Sequence, residues 1–158
     1  MMRPFRPGVL RATALAVALL AAAVPAALAQ VPLAIATDAA EDAINDVRRA
    51  GRVSVLDDDP LLTALATQQA LAMAAARTMS HTIAGSLQQR LATGGYGLRA
   101  AAENIAYGQD TLAEVMAAWL QSGPHRSNIL DRRMTSFGLG AAIVDGVIYW
   151  SLILAAPG

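Results

Sequence analysis

Two imidazoles are the side chains of this chain best suited to chemistry near neutral pH: His81 and His125, the only histidines. Glu103, 22 residues from each, is one of twelve carboxylates, set beside them by the short strings that surround all three. Two neutral imidazole nitrogens and an ionised carboxylate suit a borderline-soft cation, and His2Glu is a familiar catalytic zinc set. The same three groups can move protons without a metal, because histidine titrates near neutrality. A purely structural role is the competing reading. Glu103 would then be a buried polar clip for backbone amides and an imidazole, with His81 and His125 capping helix ends. The spacing matches no local metal motif and leaves both readings open.

The elements that must carry these groups follow from the pattern of the chain. Asp38 with Glu41 reads as a capping box, opening a helix that buries Ala40, Ala43, Ile44 and Val47 and ends at Gly51. Asp57-Asp58-Asp59 reads as a solvated turn, with Val53 to Leu56 available as an edge strand. Asp59 then caps a second helix with Pro60 at its first position, running to about Thr78, just before His81. Leu87 to Leu91 is a short amphipathic helix, broken by Gly94-Gly95-Tyr96-Gly97. Thr111 and Glu114 form another capping box, and Gly123-Pro124 is expected to stop that helix before His125. Phe137 to Val144 and Val147 to Leu154 change period and flank Asp145-Gly146, a strong hairpin signal. Helices first and an antiparallel hairpin last make an α+β domain.

Around the three residues stand short strings: Met79-Ser80-His81, then Ala102-Glu103-Asn104-Ile105-Ala106. After them come Trp119 with Ser122 and His125-Arg126, Asn128-Ile129-Leu130, and finally Gly138-Leu139-Gly140. In this order they resemble the bacterial branch of the CAP superfamily, the SCP-like extracellular proteins, over Ala39 to Pro157. The resemblance implies a three-layer α-β-α sandwich around a small antiparallel sheet. It also implies a cleft shared by His81, Glu103 and His125, with Asn104, Ser122, Arg126 and Asn128 in support. Asn104 is expected to tie backbone at a bend, and Asn128 to order the loop after His125. Arg126 is read as a surface ion-pair partner ahead of a groove cation, and Trp119 and Trp150 as core ahead of ligand stacking. Ser80 and Ser122 stand near the histidines without a strained nucleophile elbow, which speaks against a serine hydrolase.

Two departures from the superfamily pattern matter. Its eukaryotic members are cysteine-rich, whereas this chain has no cysteine and must be stabilised by its core alone. They also carry a second glutamate where this chain has Ser122, which weakens a metal site and any inherited catalysis. A divalent metal such as zinc is therefore expected to bind weakly at His81, Glu103 and His125. Activities proposed across the superfamily include binding of sterols, fatty acids or other lipids, binding of divalent metal, and proteolysis. The resemblance selects a binding module for a small apolar or peptidic ligand first. A metal-dependent hydrolase and a partner-recognition scaffold are the alternatives.

Composition bounds the rest. Residues 1–29 read as a secretory signal: Arg3, Arg6 and Arg11, an apolar run from Ala12 to Val24, and a small-x-small end at Ala27-Leu28-Ala29. Residues 30–38 read as a loose lead-in and 39–158 as one domain. Removal of the signal leaves 129 residues with nine arginines against twelve carboxylates, a net of −3, and the chain has no lysine. That balance argues against nucleic acid or an anionic membrane as partner. The expected location is the periplasm or the extracellular space, with no stable membrane anchor after cleavage.

Overall fold

A computed structural model describes residues 30–158. The expected signal segment, with its cleavage site, lies outside the described residues. The element order is β1 (Val31–Leu33), α1 (Thr37–Ala50), β2 (Asp57–Asp58), α2 (Pro60–Ala76) and α3 (Leu87–Thr93). It continues with β3 (Leu98–Tyr107), α4 (Leu112–Gln121), α5 (Gly123–Ile129), β4 (Ser136–Val144) and β5 (Val147–Pro157). The sheet runs β1-β4-β5-β3, with β2 also on β4. All pairings are antiparallel except β2 on β4, which is parallel.

The layers follow from strand periodicity, since successive side chains face opposite sides of a sheet. On one face Trp150, Leu152 and Leu154 of β5 meet Ile44 of α1, Val115, Met116 and Trp119 of α4, and Ile129 of α5. On the other, Tyr149 and Ile153 of β5 and Ile105 of β3 meet Leu62, Leu65, Ala70 and Met73 of α2 and Leu91 of α3. This is the expected three-layer α-β-α sandwich, an α+β domain with a small, mainly antiparallel sheet. The α2 layer sits very close to β4, because Gly138 and Gly140 present no side chain to it. A Cβ on Gly138 would fall 2.1 Å from the Leu62 carbonyl carbon, and one on Gly140 would fall 2.3 Å from the Thr67 amide nitrogen.

Several local expectations hold. The Asp59 carboxylate accepts from the amides of Leu61 at 2.8 Å and Leu62 at 3.2 Å, with Pro60 opening α2. Thr111 and Glu114 form the reciprocal box that starts α4. Asp145 and Gly146 have φ of 50° and 78°, as a type I′ turn requires. Trp119 and Trp150 are buried, and their indole N–H groups donate to the carbonyls of Ile105 and Gln109.

Others are corrected. Part of the lead-in is ordered: Val31–Leu33 pairs with Ala141–Ile143. The helix α1 begins at Thr37 after Ala36, without a side-chain cap, so Asp38 lies inside its first turn, where it complements the helix dipole. The aspartate run is not simply a turn, because Asp57–Asp58 pairs with Ser136–Phe137 as a two-residue parallel strand, displaced from the expected Val53 to Leu56. The helix α2 stops at Ala76, where Arg77 takes a left-handed conformation. Gly123-Pro124 ends α4 but also opens α5, since proline fits the first turn of a helix. Finally, Leu98–Tyr107, not recognised as a strand, is the β3 edge of the sheet.

Candidate functional site

The candidate site is built across the edge of β3. Glu103 and Asn104 are consecutive, so strand geometry sends their side chains to opposite faces. Glu103 lies on the α2 side, beside Ser151 of β5, whose Oγ donates to its Oε1 at 3.3 Å. Its Oε2 is 2.8 Å from Nδ1 of His81. Asn104 lies on the α4–α5 side, fully buried. Its Nδ2 donates to the His125 carbonyl at 3.0 Å, and its Oδ1 accepts from Asn128 Nδ2 at 2.9 Å. Asn104 thus sits within a strand rather than at a bend, and Asn128 acts from within α5 rather than on a loop.

Each histidine is delivered by a different device. His81 stands in the turn after α2, and Gln69 of that helix donates to the neighbouring Ser80 carbonyl at 2.6 Å. His125 stands in the first turn of α5, not in a loop beyond a helix. Burial is the larger cause lowering the His125 pKa below its ordinary value, and the charge of His81 is the second. The His81 side chain is 55% exposed while that of Glu103 is 3% exposed, so the imidazole stands outward of a buried carboxylate.

One neighbour went unrecognised in the sequence. Arg90 of α3 is buried, with Nη2 2.5 Å from Glu103 Oε1 and Nε donating to the Gly85 carbonyl at 3.2 Å. Nothing local in the Leu87–Thr93 sequence distinguishes it from a solvated arginine. Arg126, expected in support, is exposed and lines the surface near Leu130 rather than the groove.

Beside His125 opens a cavity of about 260 Å³, lined by Met79, Ile105, Tyr107, Ala118, Trp119 and Ser122 among others. Most of these are apolar, and Met79 and Tyr107 are half exposed at its mouth. Tyr107 also stacks on Tyr149, ring centres 5.8 Å apart, which stiffens that wall. A second cavity, about 330 Å³, lies between α2 and α3, lined by Leu61, Leu65, Gln89 and Arg90 among others.

The donors do not fit a three-ligand metal centre as arranged. Both oxygens of Glu103 are engaged, one by His81 and one by Arg90 and Ser151. Ser122 supplies no charge. No group of three or more His, Asp or Glu side chains arranged to hold a metal ion occurs among the described residues.

The chain belongs to the CAP family, described as the cysteine-rich secretory protein family, whose pattern matches residues 41–154. Its fold is similar to an SCP-domain extracellular protein of Bacillus anthracis, with a TM-score of 0.68 and 26% identity over 75% of this chain and 39% of that one. An outer surface protein of Borrelia burgdorferi shares the fold with a TM-score of 0.72 and 21% identity, over 81% of this chain and all of that one. The uncharacterized protein YkwD of Bacillus subtilis is 48% identical over 46 residues, 29% of this chain and 18% of YkwD. The match therefore spans well under half of the Bacillus proteins. No described helix is long and apolar enough to cross a membrane.

Proposed function

We propose that this chain is an exported, ligand-binding CAP domain acting in the periplasm or outside the cell. Its groove takes a small apolar or peptidic ligand. The apolar part enters the cavity walled by Met79, Ile105, Tyr107 and Trp119, and a polar group meets Ser122 and His125. The observation that carries this reading is an apolar cavity opening directly beside an imidazole. Ligand sites characteristically combine an apolar lining with a few placed polar groups. At about 260 Å³ the cavity lies just below the ~300–1,000 Å³ of drug-sized pockets, which suits a side chain or the end of an acyl chain.

The test is native mass spectrometry of the exported protein, followed by titration with octanoate and with a tripeptide carrying a central leucine. Ala118→Phe fills the cavity from a partly exposed position of α4. At least one probe should bind the wild type and lose its binding in the variant. Equal binding to both proteins would show that the cavity is not the site.

Hydrolysis is the second reading, favoured by one observation. Glu103 holds Nδ1 of His81, the arrangement that fixes a tautomer and leaves Nε2 as a base. Loss of ester or peptide hydrolysis in His81→Gln, against a measurable wild-type rate, would support it.

A further inference from the structure

We propose that Arg90 determines what the groove accepts. As the resident counter-ion of Glu103 it withdraws the carboxylate from ligand duty, and the groove then favours a neutral or anionic polar group over a divalent cation. The inference goes beyond the cavity reading, because it rests only on the partners of Glu103.

The geometry makes Arg90 a fixture. Its side chain is 5% exposed and that of Glu103 is 3% exposed, so neither charge is dissolved in water. A buried ion pair that loses one member leaves an uncompensated charge in a low-dielectric place. The guanidinium is held by the Gly85 carbonyl just before α3, and Nη1 is buried without a partner. A divalent ion coordinated by Glu103 would have to displace this group or sit against it, cation to cation. It would also have to break the 2.8 Å contact to His81 or share its oxygen.

What is left facing the groove is short of a metal site. Two imidazoles remain where a catalytic zinc takes three protein ligands. Ser122 offers a neutral hydroxyl instead of a second carboxylate. The one carboxylate in contact with His81 is already paired with Arg90. An acceptor such as a carbonyl or carboxylate on the ligand meets imidazole and hydroxyl donors there without facing a bare carboxylate.

The test titrates zinc chloride into the signal-free full chain by calorimetry, comparing wild type, Glu103→Gln, Arg90→Gln and the double variant. The wild type should bind weakly, with its affinity little changed by Glu103→Gln. Arg90→Gln should bind about tenfold more tightly or better, and the double variant should lose that gain. A loss of about tenfold or more on Glu103→Gln in the wild-type background would overturn the proposal, as would an unchanged affinity in Arg90→Gln. If Arg90→Gln does not fold, the wild type and Glu103→Gln still decide, together with imidazole nitrogen NMR of the wild type. Zinc should leave His81 with its proton on Nδ1, and disappearance of that signal would contradict Arg90 as the resident cation.

Discussion

Glu103 and Asn104, neighbours on β3, hold the two histidines from opposite faces of the sheet. Glu103 contacts the His81 ring, and Asn104 contacts the backbone of His125. A single strand edge thereby joins the α2 layer to the α4–α5 layer, and the groove lies where they meet.

Asn104→Ala should cut the second of these ties. The side chain is fully buried and makes two hydrogen bonds, and its loss leaves Asn128 and the His125 carbonyl short of partners. Destabilisation of about 1–3 kcal/mol is expected, read by urea unfolding. The His125 ring resonances should broaden or shift, and a variant with native stability and unmoved His125 signals would contradict the tie.

His125 should make stability depend on pH. Its folded-state pKa is lowered by burial first and by His81 second, so the unfolded chain binds the proton more readily. Its contribution is therefore present above the ordinary imidazole value of about 6.5 and is lost as pH falls towards the lowered value. In His81→Gln the second cause disappears, and NMR titration should find the His125 pKa raised part of the way back. An unmoved value would place the two rings too far apart to interact.

The glycines of β4 should tolerate nothing larger. A methyl on Gly140 would lie 2.3 Å from the Thr67 amide nitrogen and 2.5 Å from its Cα, backbone atoms that cannot swing aside. Gly140→Ala should cost about 3 kcal/mol or more, since overpacking here must move α2 off the sheet. Thermal unfolding checks this, and a melting temperature within a degree or two of wild type would contradict so close a contact.

Gly146 works through conformation instead. Nothing lies within 4 Å of its missing Cβ, but its φ is 78°. Gly146→Val should destabilise by about 1–3 kcal/mol through backbone strain alone. An unchanged melting temperature would show that the hairpin turn relaxes without cost.

Helix ends and the hairpin were legible because their signals are local. Asp59-Pro60, Thr111 with Glu114, and Asp145-Gly146 each satisfy a backbone requirement within a few residues. β3 was not legible, because Leu98 to Tyr107 is rich in alanine and carries Glu103 and Asn104, whose strand role is set by pairing with β5. The start of α5 was hidden by Gly123-Pro124, a pair that ends one helix and begins the next. Of the candidate site residues, His81, Glu103 and His125 were singled out by residue type and family pattern. Arg90 and Gln69 were not, since a buried partner on a helix differs from a solvated one only in what lies across from it.

The measurement that tests the account most directly is ligand mapping by NMR. Methyl-labelled Met79, the Trp119 indole N–H and the His125 ring report on the cavity, and octanoate or the leucine tripeptide serves as probe. The expected result is saturable shifts at all three, absent in Ala118→Phe. Shifts confined to Leu61, Leu65 and Arg90, or shifts that survive Ala118→Phe, would contradict the groove beside His125 as the binding site.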